Sequence, residues 1–320
     1  MHSGIPHKGA FRSPFQRKGA LKRARFVVLG SGAASPAPER ALPAHYFEYE
    51  GVGALLDCGE GTQFQLMKAK ISFSRIKVVF VSHLHGDHVL GLPGLLQTMA
   101  MASRRDELLV IGPKGLKDFL LSSFELTYFY PPYPIKVVEV LRDAEITYRN
   151  LKLKVFPVNH TVPAFGVSVE TASKRKVRAD VLEREGLPKR LWGRLQRGED
   201  VVWEGRVFKY EDFTFEGERI KVVYSGDTAP CERLVEEAEG ADLLVHEATF
   251  TKELKEEAHD RGHSTAEDAA TAAARAGVKQ LLMVHFSARY KDLRRHLEEA
   301  RRVFPRSYAA EDLTKVVILK

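Results

Sequence analysis

His83-Leu84-His85-Gly86-Asp87-His88 follows the apolar run Lys77-Val78-Val79-Phe80-Val81-Ser82 and leads into a stretch with helical periodicity. Three imidazoles and a carboxylate within six residues of a tight turn can address one small volume, and a loop at the end of a buried strand has the rigidity that a metal site needs. Imidazole nitrogen and carboxylate oxygen suit zinc. One ion rarely takes four ligands from six consecutive positions, because alternate side chains diverge, so the pattern asks for two centres and for ligands elsewhere. Three candidates stand just beyond apolar runs: His160 after Leu153-Lys154-Val155-Phe156-Pro157-Val158-Asn159, Asp227 after Lys221-Val222-Val223-Tyr224-Ser225-Gly226, and His285 after Gln280-Leu281-Leu282-Met283-Val284.

Outward from this loop the chain reads as α/β. Strands are expected at residues 25–30, 45–49, 54–57, 77–82 and 108–111, with helices at 62–70, 92–103 and 113–124. Four more strands follow at 136–140, 145–148, 151–158 and 165–170, and then residues 171–219 differ in kind. They hold the basic cluster Lys174-Arg175-Lys176 with Arg178, a helix break at Leu187-Pro188, and the only two tryptophans, Trp192 and Trp203. This segment reads as a basic inserted arm. Beyond it, strands at 220–224, 243–246 and 280–284 alternate with helices at 230–239, 265–276 and 288–303, and a closing strand is expected at 315–319. A β-rich half, an arm and an α/β half suggest two sheets packed face to face with helices outside.

The 320 residues are 44% apolar and 28% charged, which excludes a disordered or collagen-like chain. No window approaches the roughly 18 apolar residues of a membrane helix, and the N-terminus lacks the apolar segment of a secretory signal. A cytoplasmic protein is expected. Cys58 and Cys231 are too few for a disulfide framework and read as reduced thiols. The net charge of +7 comes from 49 basic and 42 acidic residues, but residues 1–25 carry seven basic side chains and no acid. Residues 1–24 therefore read as a basic flexible tail, and residues 25–320 as one folded domain nearly balanced in charge.

The His-x-His-x-Asp-His loop with downstream His160, Asp227 and His285 resembles the metallo-β-lactamase superfamily, which implies an αββα four-layer sandwich with its metal site at one sheet edge. Further motifs are similar to those of ribonuclease Z, the tRNA 3′-processing endonucleases: Leu56-Asp57-Cys58-Gly59-Glu60-Gly61-Thr62, Tyr224-Ser225-Gly226-Asp227-Thr228, His246-Glu247-Ala248-Thr249, Gly262-His263-Ser264-Thr265 and His285-Phe286-Ser287-Ala288-Arg289-Tyr290. The resemblance implies His83, His85 and His160 on one zinc ion, Asp87, His88 and His285 on a second, and Asp227 bridging, with manganese an alternative metal. Asp87 is the candidate to orient or deprotonate the attacking water. His263 is the candidate general acid, with Glu247 holding its second ring nitrogen.

Small residues ahead of a helix make Ser264 and Thr265 candidate phosphate contacts, and Arg289 a candidate for the RNA backbone. Lys174, Arg175 and Lys176 are candidates to grip RNA in the arm. Relatives often carry a Gly-Pro-rich motif there, where this chain has Pro188-Lys189-Arg190-Leu191-Trp192-Gly193. The resemblance implies removal of the 3′ trailer from precursor tRNA by a homodimer, with no membrane partner. The fold alone also permits hydrolysis of a small phosphodiester, sulfate ester or lactone.

Overall fold

The computed structural model describes residues 23–173 and 175–320. Two seven-stranded mixed sheets form its middle. The first runs in the order Lys315–Leu319, Arg23–Gly30, Ala44–Tyr49, Val52–Leu56, Ile76–Phe80, Leu108–Pro113 and Ile135–Val140. The second runs Ser307–Ala309, Leu281–Val284, Leu243–Glu247, Lys221–Tyr224, Phe165–Thr171, Leu151–Pro157 and Ala144–Tyr148.

Strand periodicity explains why the sheets stack. In Arg23–Gly30 the side chains of Phe26 and Val28 join the core between the sheets, while Val27 and Leu29 point the other way, under the helices Thr62–Lys68 and Gly91–Met101. Phe47, Phe80 and Ile111 of the first sheet meet Leu153, Val167, Val222 and Val245 of the second in one buried cluster. The outer face of the second sheet is covered by the helices Glu232–Ala238, Ala266–Arg275 and Arg294–Val303. The layers are thus helix, sheet, sheet, helix. Burying a side chain of Phe or Val size contributes about 1.5–3 kcal/mol, so each two-sided strand counts twice toward stability.

The strand order positions the site. Val52–Leu56, Ile76–Phe80 and Leu108–Pro113 run parallel, as do Lys221–Tyr224, Leu243–Glu247 and Leu281–Val284. All carboxyl ends within each parallel group leave at one edge, where loops are free to carry chemistry.

The differences from sequence expectation have local causes. The first strand begins at Arg23, so Arg23 and Ala24, expected in the tail, pair with Leu319 and Ile318; residues 1–22 lie outside the described residues. Pro113 ends a strand, paired to Val140, and its helix starts only after Gly115 at φ +97°. The helix expected from 288 starts at Arg294, because Tyr290 closes a turn onto Ser287 and Asp292 accepts the Arg294 amide. Thr265 caps its helix with Asp268 as the reciprocal partner.

The sheet strands Phe165–Thr171 and Lys221–Tyr224 are neighbours, and the chain between them leaves the sheet. It forms the helices Ala179–Arg184 and Lys189–Gln196 and the hairpin Val201–Trp203/Arg206–Phe208 around a separate core of Leu182, Leu187, Leu195, Val201 and Phe208. The description "basic" needs correction here. Residues 175–219 carry eleven basic and ten acidic side chains, and Arg194, Arg197, Arg206 and Lys189 are each paired to a glutamate. Net positive charge is confined to the stretch around residues 174–178.

Candidate metal centre

Four loops deliver seven side chains to the common edge of the two sheets. His83 and His85 lie within 3.1 Å of each other (Nε2 to Nδ1), and His160 Nε2 is 3.2 Å from the same His85 nitrogen. A second group forms where His88 Nε2 meets His285 Nε2 at 3.3 Å, with Asp87 Oδ2 3.5 and 3.6 Å from those two nitrogens. Asp227 Oδ2 lies between the groups, 3.7 Å from His83 Nε2 and 3.2 Å from both His88 Nε2 and His285 Nε2. The seven ligand candidates read from the sequence therefore converge on one locus, and they split as two triads with a carboxylate between.

Hydrogen bonds behind the imidazoles fix which nitrogen is free. Tyr224 OH (2.6 Å) and Ser82 Oγ (2.8 Å) donate to Asp57 Oδ2, which also receives the Nδ1–H of His88 at 2.7 Å. Having donated to Asp57, Ser82 Oγ accepts from His83 Nδ1 at 2.9 Å. Thr249 Oγ1 donates to Glu247 Oε2 (2.7 Å) and so accepts from His285 Nδ1 (2.8 Å), while His160 Nδ1 donates to Gly262 O (2.8 Å). In the neutral form each of these four rings then presents an Nε2 lone pair inward, which is the arrangement that second-layer partners impose on metal-binding histidines. At Gly262 the backbone has φ +70°, and a Cβ would lie 2.8 Å from His160 Nδ1, so only glycine fits against that ring.

Converging lone pairs and an orphaned oxygen form a site that fits a cation. Asp227 Oδ1 is buried with no hydrogen-bond partner, a costly condition for a carboxylate unless a positive charge faces it. Burial works against a charged Asp227, yet His285 and His88 hold its carboxyl well below the usual range. Burial likewise opposes protonation of His88, but the carboxylates of Asp227 and Asp57 outweigh it and push its pKa well up, whereas burial and the nearby His88 push His83 well down. The donor set of imidazoles and carboxylates is that of a divalent-metal centre, and an ion held there would need His88 Nε2 free of its proton. Strain also collects here: Asp57 and His285 both hold φ +59°, in the left-handed region.

Beside the ligand group stands a carboxylate–imidazole pair. Glu247 is fully buried, and its Oε1 receives His263 Nδ1 at 2.8 Å together with the Thr228 amide at 2.9 Å. Burial disfavours the His263 cation, but the charge and hydrogen bond of Glu247 win and raise its pKa to about 9. The His263 ring stacks on His285 at 5.5 Å and meets His160 edge-on at 5.1 Å, so it borders both ligand triads.

Comparison with known proteins decides the family. Over 295 residues the chain is 41% identical to ribonuclease Z of Metallosphaera sedula, covering 92% of this chain and 98% of that one. The chain belongs to the ribonuclease Z family. A second ribonuclease Z, from Sulfurisphaera tokodaii, is 40% identical over 92% of this chain and 97% of its own length. The crystal structure of the short form of human tRNase Z superposes with a TM-score of 0.67 at 28% identity, covering 91% of this chain and 98% of that one. A metallo-beta-lactamase fold protein from Bacillus subtilis, at 18% identity and a TM-score of 0.68 over 93% of this chain and all of its own, shares the fold. Family models describe residues 211–286 as a beta-lactamase superfamily domain and 24–177 as anti-Pycsar protein Apyc1.

Not every expected contact of this ribonuclease Z family member survives the structure. Ser264 and Thr265 are fully buried: the Ser264 hydroxyl donates to Thr228 O at 2.6 Å, and Thr265 forms the helix cap. Neither hydroxyl faces a ligand, which corrects their reading as phosphate contacts. Arg289 lies over the Phe250 ring at 5.0 Å, and Phe250 in turn abuts His263, so Arg289 stands on the site's rim. Arg175 stacks on Tyr210 at 4.7 Å, Lys176 is exposed in a short strand, and Lys174 lies outside the described residues. Sequence reasoning quoted Asp57, Ser82, Tyr224 and Thr249 within motifs but gave none of them a role. The placement of Asp57 at a strand end, like the ligands, was the available signal.

Proposed function

We propose that this chain is an endoribonuclease that removes the 3′ trailer from precursor tRNA, leaving a tRNA 3′-hydroxyl and a trailer 5′-phosphate, with two zinc ions per subunit or manganese in their place. The observation that carries the reading is His263, half-buried and held by the fully buried Glu247, set against a complete His/Asp donor group in a chain of this family. His83, His85 and His160 would hold one ion and Asp87, His88 and His285 the other, with Asp227 serving both. When bound, the metal pair supplies Lewis-acid stabilisation of phosphodiester charge and a water acidic enough to attack near neutral pH. The Asp87 carboxylate, tied through Oδ2 to the Ala34 amide at 2.8 Å, would orient the attacking water and take its proton. His263 carries a proton because Glu247 faces its Nδ1, and it delivers one from Nε2 to the departing ribose 3′-oxygen.

The arm over residues 171–219 grips RNA in this reading, and a homodimer presents one subunit's arm to the other's site. Exposed Phe64 and Met67 on Thr62–Lys68 and Met101 at the end of Gly91–Met101 support a covering second copy. A cytoplasmic setting accords with the finding that no helix of the described residues is long and apolar enough to cross a membrane.

Incubation with a 3′-extended precursor tRNA and with bis(4-nitrophenyl) phosphate, with and without chelator, tests the reading when the RNA ends are mapped. One metal-dependent cut beside the discriminator base is expected, and turnover of the small ester alone overturns it. For the arm, the double substitution Lys176→Glu/Arg178→Glu should weaken precursor binding about tenfold and flatten the salt dependence by roughly two phosphate contacts, with the cut position and ester turnover unchanged. An unaltered salt slope removes the arm from RNA binding.

A further inference from the structure

Residues 31–41 leave the first strand, pass the metal-ligand group and return beside where they left. The loop touches that group through a single bond, from the Ala34 amide to Asp87 Oδ2, with Ala34 at φ +60°. Ala34 is exposed, so no packing of its side chain holds that amide in place. Its position has to come from the backbone just before it, where Gly32–Ala33 pairs with Phe286–Ser287, and from the ends of the loop.

Both ends meet one distant carboxylate. Asp312 Oδ1 accepts from the Ser31 amide at 2.9 Å and the Ser31 hydroxyl at 2.8 Å, while Asp312 Oδ2 accepts from the Ala41 amide at 2.8 Å and Gln65 Nε2 at 2.9 Å. Gln65 is itself anchored by a 2.6 Å bond to Leu29 O. The flank of the loop is tied to the chain that follows His285: Gly32–Ala33 pairs with Phe286–Ser287, and Arg40 Nη1 donates to Tyr290 O at 2.6 Å. Two carboxylate oxygens with four donors form a bidentate clamp of the kind that fixes backbone geometry.

We propose that Asp312 is a positioning residue for metal binding: by clamping both ends of the 31–41 loop it sets the Ala34 amide against Asp87 and holds that carboxylate where it completes the group with His88 and His285. The inference rests on reading that group as a metal site. Outer partners of metal ligands typically affect affinity by roughly ten- to a hundredfold, and here the partner acts through one loop on one of the two groups. His83, His85 and His160 make no contact with the loop among the bonds described and should be spared.

The test is competition titration of the full chain with Zn²⁺ against a chromophoric chelator, and with Co²⁺ followed by its visible spectrum. Asp312→Asn turns one acceptor oxygen into a donor facing an N–H, and it should weaken one of the two ions about ten- to a hundredfold and shift its Co²⁺ bands, leaving the other ion as in the wild type. Glu311→Gln, an exposed neighbour, should change neither. Wild-type affinity for both ions in Asp312→Asn, or equal weakening of both, overturns the proposal whatever happens to the melting temperature. If Asp312→Asn does not fold, Ser31→Ala/Gln65→Leu removes two of the four donors and should weaken the same ion severalfold; no change overturns the proposal. Cleavage of precursor tRNA by the wild type is followed in parallel. Two bound ions without cleavage would remove the proposed activity and leave the role of Asp312 standing.

Discussion

His263→Ala should lower cleavage of precursor tRNA by about 10²–10⁴-fold, the range expected for loss of a general acid, while both metal ions stay bound. The expectation follows from the connections of the ring. His263 Nδ1 is committed to Glu247 Oε1 at 2.8 Å, and its nearest ligand oxygen, Asp227 Oδ2, is 4.0 Å away. The four other site imidazoles with a fixed tautomer are each braced by a hydroxyl, a carbonyl or Asp57, so none depends on His263 for orientation. A departing ribose 3′-oxygen needs a proton, whereas nitrophenolate does not. Turnover of bis(4-nitrophenyl) phosphate should therefore fall far less than RNA cleavage in the same variant, which separates loss of an acid from general damage. Metal loss in His263→Ala, or equal falls on both substrates, would mean that the assignment is wrong.

Much of this site was legible in the sequence because its ligands obey a simple rule. Apolar strands end, and a polar residue within three positions faces the edge where parallel strands release their loops. His83, His160, Asp227 and His285 all follow that rule, and the closing strand Lys315–Leu319 was legible for the related reason that its pattern is uninterrupted. What was not legible is the second layer. Asp57 gathers Ser82 and His88 from one distant segment and Tyr224 from another, and no local pattern reports a meeting of residues 167 positions apart. The same blindness led Ser264 and Thr265 to be read as ligand contacts. A Ser-Thr pair before a helix has one local appearance, and only the packing of Thr228 and Asp268 against it shows where the hydroxyls go. Positive φ at Asp57 and His285 was also hidden, since Asp and His adopt it more often than most residues but only in a minority of positions.

Asp227→Ala should leave the purified chain with less than one tightly held ion and reduce cleavage at least about a thousandfold, since the one carboxylate within reach of both triads is gone. Its Oδ2 stands 3.2 Å from His88 Nε2 and from His285 Nε2, and its Oδ1 has no protein donor at all, so no neighbour can take over its place between the groups. The effect should extend to the metal-free chain. There the Asp227 carboxylate is a buried negative charge that faces His83, His88 and His285 together, so its removal costs stability, though less than the about 3–5 kcal/mol of a fully orphaned buried charge because Asp57 still pairs with His88 at 2.7 Å. Chelator-treated Asp227→Ala should accordingly melt below chelator-treated wild type, while circular dichroism below the transition stays the same. Asp227→Asn keeps the volume but places an amide donor or a neutral oxygen before the His88 and His285 nitrogens, and it should lose metal nearly as fully. If either variant binds two ions with wild-type affinity, Asp227 does not join the two groups, and the dinuclear reading fails at its centre while each triad could still hold an ion of its own.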